Sequence, residues 1–471
     1  MDNDLAFATI DELAPRIKSG ELSPVTLVEN CLERIAAHGE TLNSFLAVFE
    51  DQAREDARVA EAEIKAGNWR GPLHGIPIGL KDLVDVAGTV TTGGSTILKD
   101  NMASADATIT RKLKDPGAII IGKTHMVEFA MGATGINPHY GAGHNPWNID
   151  RITCGSSIGS GNAVGGGLVY GAIGSDTGGS IRMPAAVNGI AGLKPTYGVV
   201  SRAGVLDLSW SCDHVGPMTR SVVDAAHMMN ALAGYDAADP ASSNEPPPDY
   251  AAATGGSLDG VRVGVPEHYF FEDVDPQIEA AVRAAIELMA ERGATVTTIP
   301  MDWVRLGRPI NVGILIPEAL SVHEKWLNEH RDQYSPEVLS RLSAGVGIGA
   351  IDYIRAQRSR AWFIEKMNVA MADVDVLVTP TIPIQTPTIE GCTPAPGENV
   401  ARDGGELGNF TGVFNTTGSP SLSMTCGFTD DGMPIGMMIS GKAHRDDVVL
   451  SVGDAYERVA GWTERRPAAF T

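Results

Sequence analysis

Cysteine is scarce in this chain, and none of it is arranged for metal or redox chemistry. The five cysteines, Cys31, Cys154, Cys212, Cys392 and Cys426, are scattered and form no C-x-x-C pair. An odd, dispersed set argues against a disulfide framework and suits a reducing cytoplasm. Basic charge is also short. Lys and Arg number 36 against 58 Asp and Glu, a formal net charge of −22. A surface so acidic disfavours nucleic acid and anionic membranes as partners. No apolar run approaches the roughly 20 residues that span a bilayer. The first residues are acidic (Asp2, Asp4, Asp11, Glu12) where a secretory signal would be basic. What remains is a chain of 471 residues with 43% hydrophobic content, enough for a large core.

Histidine is missing from the stretch richest in chemistry. Thr153 to Arg182 contains T-C-G-S-S-I-G-S-G and then G-S-D-T-G-G-S-I-R. A serine nucleophile needs a base. The nearest base lies upstream in H-G-I-P-I-G-L-K-D, where Lys81 follows the apolar Ile76, Ile78 and Leu80. A lysine accepts a proton only when neutral. Its pKa in water is about 10.4, and burial in an apolar site lowers it by penalising the ammonium. A serine hydroxyl both accepts and donates, so Ser156 suits a bridge between Lys81 and a nucleophilic Ser180. The backbone N–H groups of Thr177, Gly178 and Gly179, with that of Ser180, are candidates for an oxyanion hole, because glycine lets the chain curl around a small anion. Asp176 and Arg182 bracket the loop and read as a structural pair.

Other motifs point elsewhere. Gly155-Ser156-Ser157-Ile158-Gly159 satisfies G-x-S-x-G, which would make Ser157 the nucleophile. That elbow needs a buried strand just before it, and N-P-W-N-I-D-R-I-T reads as loop. Gly159-Ser160-Gly161 lacks the strand and spacing of a dinucleotide loop. His139 and His144 lack cysteine or carboxylate partners at ligand spacing, so no metal and no cofactor is expected. His214 is the alternative base if Lys81 is not one.

The serine clusters and the lysine resemble the amidase signature family. The resemblance continues through K-T-H-M-V-E-F-A-M-G (Lys123 to Gly132), G-L-K-P-T-Y-G-V-V-S (Gly192 to Ser201), F-N-T-T-G-S-P (Phe414 to Pro420) and D-G-M-P-I-G (Asp431 to Gly436). It implies a serine nucleophile (Ser180), a bridging serine in a cis peptide (Ser156) and a lysine base (Lys81). The reaction implied is cleavage of carboxylic amide C–N bonds through an acyl-enzyme. It also implies an α/β fold with a large mixed central β-sheet surrounded by helices, formed by one domain over residues 1–471. The signature core would cover 70–225 and a variable substrate-pocket region 300–400. Met131, Gly132 and Cys154 are the candidates for substrate contact. Four residues depart from the family pattern: Cys154, Ile158, Thr425 and Met438.

The partner implied is a small-molecule amide, and a homodimer is compatible with the sequence. Ile310, Ile314, Leu315, Ile316 and Trp326 together favour an apolar or aryl group on the substrate. Carbamates, urethanes and aryl esters suit the same relay. The other alternative is the glutaminase subunit of a tRNA-dependent amidotransferase. Those subunits carry E-V-K-R-R where this chain reads Glu337-Val338-Leu339-Ser340-Arg341, which favours a free-standing amidase.

Along the chain, the pattern predicts helices from Ser23-Pro24, over 51–65, over 164–173 and over 277–292. It predicts strands at 118–121, 261–265 and 374–378. Glu245 to Pro248 reads as a connection between lobes, and 391–404 as a surface loop.

Overall fold

The computed structural model describes residues 1–393 and 403–471. Its centre is one mixed sheet of 11 strands. In chain order they are β1 Phe45–Val48, β2 Pro77–Lys81, β3 Ile119–Thr124, β4 Gly171–Asp176, β5 Ala191–Lys194, β6 His214–Thr219, β7 Arg262–Pro266, β8 Thr295–Ile299, β9 Val376–Pro380, β10 Ser421–Phe428 and β11 Pro434–Gly441. Across the sheet the order is β1-β3-β2-β4-β6-β5-β10-β11-β9-β7-β8. β2 runs parallel to both β3 and β4, and β7 runs parallel to β8 and β9. The remaining pairs are antiparallel. Helices cover the sheet, as expected of strands that are apolar on both faces. β2, β3 and β4 are buried at every position.

Local signals explain several elements. The Pro24–Leu42 helix starts where Ser23 accepts the Val25 N–H, with Pro24 in the first turn, and stops at Asn43 in the left-handed region. The Pro276–Glu291 helix starts the same way, from Asp275 and Pro276.

Two sequence expectations fail here. The helix expected over 164–173 is instead the end of the Ile158–Gly165 helix followed by β4. The run Gly165-Gly166-Gly167 breaks it, with Gly167 at φ +69°, and the chain turns into the sheet. The segment read as loop before the first serine cluster contains a strand, Asn148–Ile152, paired with His144–Asn145 in a separate two-stranded hairpin. Pro146 and Trp147 make its turn. Residues 245–248 are exposed, and the strands before and after them lie in the same sheet. Of the loop expected over 391–404, Gly391 and Cys392 end a short Ile389–Cys392 helix, and 394–402 lie outside the described residues.

Candidate active site

The parallel trio β2, β3 and β4 carries the site at its C-terminal end, where open α/β sheets place ligands. Lys81 is the last residue of β2, and the register pairs Leu80 with Ile173 of β4. This register brings Lys81 to the end of β4, where its amine reaches Ser175 Oγ. Ser156 and Ser157 stand in the turn that enters the Ile158–Gly165 helix, and the Gly155–Ser156 peptide bond is cis. Ser180 lies in the turn between β4 and the Arg182–Asn188 helix.

Lys81 is wholly buried and donates to three hydroxyls: Ser156 Oγ at 2.8 Å, Ser157 Oγ at 3.0 Å and Ser175 Oγ at 2.8 Å. None of these is a charge that would hold an ammonium. Burial pushes the Lys81 pKa down to about 7, against the weaker opposing pull of Asp176 and Asp213. Ser157, the nucleophile of the G-x-S-x-G reading, is tied into this cluster. Its Oγ also donates to the Ser175 carbonyl at 3.3 Å. Ser180 is buried, at 7% exposure. Among the described residues its hydroxyl makes no hydrogen bond to Ser156.

The 176–182 loop is fixed by its carboxylate and its carbonyls. Burial would raise the Asp176 carboxyl, but the Arg182 guanidinium overrides this and holds it well below the usual carboxylate range. Arg182 grips Asp176 in a fork, with Nη2 and Nε each at 2.9 Å. Asp176 also accepts the N–H of Gly179 at 2.8 Å and of Ile181 at 3.2 Å. The Thr177 carbonyl accepts Asn311 Nδ2 at 3.1 Å, and the Gly178 carbonyl accepts Thr411 Oγ1 at 2.6 Å. The Gly179 carbonyl accepts the Met183 N–H at 2.8 Å. In a trans peptide the N–H points opposite the carbonyl. The N–H groups of Gly178 and Ser180 are thus turned away from Asn311 and from the following helix, while that of Gly179 is occupied by Asp176. Thr177 is held by its side chain, which donates to Asp213 Oδ1 at 2.6 Å. Asp213 also accepts the N–H groups of Leu208 and Ser209, and burial raises its pKa to about 6.

The other candidates fall outside this cluster. His214 Nδ1 is held between the carbonyls of Cys212 (2.7 Å) and Asp176 (3.1 Å). Burial keeps the ring neutral, well below its ordinary pKa. His139 has a carboxylate partner that the spacing did not reveal, Glu128 at 2.8 Å, while His144 binds the Ile149 carbonyl at 2.7 Å. Among the described residues no group of three potential metal ligands converges. Cys154 and Met131 are buried, Cys154 in a small apolar cluster with Met183 and Cys392. Gly132 backs onto the serine turn: a Cβ at Gly155 would stand 3.1 Å from the Gly132 carbonyl.

Ile158 fills the space over Gly143, and the Met438 sulfur accepts Arg182 Nη1 at 3.3 Å. Thr425 lies on β10, with its Oγ1 buried and without a hydrogen-bond partner among the described residues. The apolar residues expected to shape a pocket each have packing neighbours. Ile310 and Ile314 join a core with Val304 and Phe363, Trp326 stacks on Phe129, and Leu315 packs against the main core. Ile316 lies against Gly345. A cleft of about 900 Å³ lined by Asp56, Glu63, Arg70 and His74 contains none of the serines and not Lys81.

The chain is similar to known proteins along nearly its whole length. Residues 26–450 match the family model described as Amidase. An amidase from Pseudomonas putida is 39% identical over 467 residues, which is 99% of this chain and 98% of that protein. A glutamyl-tRNA(Gln) amidotransferase subunit from Chloroflexus aggregans is 37% identical over 98% of this chain and 99% of its own. The crystal structure of the peptide amidase from Stenotrophomonas maltophilia superposes with a TM-score of 0.84 at 32% identity, covering 98% of each chain.

Proposed function

Because this chain belongs to the amidase family and is an amide hydrolase, we propose that it cleaves small amides through an acyl-enzyme on Ser180, with Ser156 and Lys81 as the proton relay. The observation that carries the reading is the buried Lys81, whose amine touches Ser156 Oγ at 2.8 Å and whose pKa burial pushes down to about 7. Neutral Lys81 takes the Ser156 proton as Ser156 takes that of Ser180, and Ser180 attacks the carbonyl carbon. The oxygen of the tetrahedral intermediate then faces the N–H groups of Gly178 and Ser180, with that of Thr177 beside them. Each such donor is worth roughly 3 kcal/mol in the transition state. Protonated Lys81 returns its proton through Ser156 to the departing amine. Water repeats the path and releases the acid.

The cytoplasm is the compartment this reading assigns, since all five cysteines are free and buried. Among the described residues no helix is long and apolar enough to cross a membrane. Carbamates and aryl esters fit the same relay.

The test is a panel of p-nitroanilides, primary amides, aryl carbamates and glutamine, assayed with the purified chain and its Lys81→Ala variant. The reading expects amide turnover that Lys81→Ala abolishes. Ammonia release from glutamine, with no turnover of the other amides, supports instead a role like that of the amidotransferase subunits.

A further inference from the structure

An arginine packs against Gly178 in the Thr177–Ser180 turn, and among the described residues it has no acidic partner. Arg308 opens the Gly307–Glu329 helix and is half-buried. Three glycines make room for it. A Cβ at Gly178 would stand 3.0 Å from its Nη1, one at Gly408 3.3 Å from its Nη2, and one at Gly412 2.7 Å from its Cδ. Among the described residues the guanidinium has one side-chain acceptor, the neutral Asn311 Oδ1 at 2.8 Å. Among the described residues no carboxylate pairs with it. Arg341 adds a second positive charge nearby rather than a compensating one, and its own partner is Glu337 at 2.9 Å. Burial and this like charge both lower the Arg308 pKa.

A guanidinium brought out of water without a counter-ion is costly. Its contrast with Arg182, Arg202 and Arg262, each gripping an aspartate in a fork, is direct. Five donors in a plane match a carboxylate in bidentate fashion. The chain leaves that geometry free on the residue packed against Gly178.

We infer that Arg308 is a specificity residue that binds a carboxylate on the substrate, so that the preferred substrates are amides carrying an anionic group. The inference rests on the proposed Ser180 chemistry and adds the substrate class. The carboxylate belongs either to the acyl part or to the amine part of the amide, and the two are separated by experiment.

The experiment compares kcat/KM for two matched pairs with the full chain. Glutaryl p-nitroanilide against pentanoyl p-nitroanilide reads an acyl-side carboxylate. 4-Acetamidobenzoate against 4-acetamidotoluene reads an amine-side carboxylate. The expected result is a preference of at least about tenfold for the carboxylate in one pair, the scale of one charge-assisted hydrogen bond. Arg308→Met should collapse that ratio toward one, and Arg308→Lys should keep part of it. An equal fall for both members of each pair in Arg308→Met shows a purely structural role and overturns the inference, as does a wild-type ratio of one or below in both pairs. Labelling of Ser180 by a fluorophosphonate on the same preparations separates the two levels. A Ser180 adduct without carboxylate preference overturns only the role of Arg308. Absence of the adduct overturns the relay and, with it, this inference.

Discussion

The Lys81 Nζ lies as close to Ser175 Oγ as to Ser156 Oγ, 2.8 Å in each case. Ser175 therefore helps set the basicity of the amine. A hydrogen bond accepted from the ammonium favours the charged form. Ser175→Ala should lower the Lys81 pKa further and move the acid limb of kcat/KM to lower pH, by up to about one unit. The pH profile of the variant reads this. An acid limb that stays in place removes Ser175 from the proton path.

In the proposed relay Lys81 must be neutral to act. Its pKa is lowered by burial to about 7, so activity rises through neutral pH and levels off above about 8. Lys81→Ala should cost at least about a hundredfold, the low end for a general base. Lys81→Arg should cost nearly as much, because guanidinium does not give up its proton. His214→Ala should be mild by comparison, since that ring is bound to the backbone carbonyls of Cys212 and Asp176 and to none of the serine hydroxyls. Initial rates of the three variants across pH 5–10 decide between the two bases.

Asp213 couples to the site in two ways. It anchors Thr177 at 2.6 Å, and its charge raises the Lys81 pKa. Asp213→Asn removes that charge, so the acid limb should again move down. It also sets an amide group against N–H donors from Leu208 and Ser209. We expect kcat to fall by about tenfold, roughly 1.4 kcal/mol. The Asp213 carboxyl is raised to about 6 in the fold from 3.8 unfolded. Its contribution to stability is therefore fully present below about pH 4 and is lost as pH rises through about 6. In Asp213→Asn the loss of stability between pH 4 and 6 should be smaller, as measured by denaturant midpoints.

Arg182 is structural in this account. Arg182→Met strands the buried Asp176 carboxylate and should destabilise the fold by about 3–5 kcal/mol. The denaturation midpoint checks it, and an unmoved midpoint contradicts it. Arg182→Met with Asp176→Asn should recover part of the loss.

Much of this was legible in the chain. The strands at Ile119, Arg262 and Val376 and the Pro24 and Pro276 helices follow from apolar runs and capping residues, and the mixed sheet from the family resemblance. The contact between Lys81 and Ser156 matches the motif reading. What was hidden depends on register and on long-range contacts. Ser175 became a partner of Lys81 through the pairing of β2 with β4, which brings the ends of the two strands together. The G-S-D-T-G-G-S motif displays that serine, yet nothing in it says which face of the strand Ser175 takes. Gly179 was expected to offer its N–H, and Asp176 already accepts it. Val164 to Ile173 looked helical because small apolar residues suit a close-packed helix and a buried strand equally. Ile310, Ile314 and Trp326 each have a core neighbour, a long-range contact that the sequence does not display.

The central claim is that Ser180, rather than Ser157, carries the acyl group. Intact-protein and peptide mass spectrometry after reaction with a slow-turnover ester or a fluorophosphonate measures this directly. The account predicts one adduct, on the peptide containing Ser180, whose formation slows in Lys81→Ala. An adduct on Ser157 would contradict it.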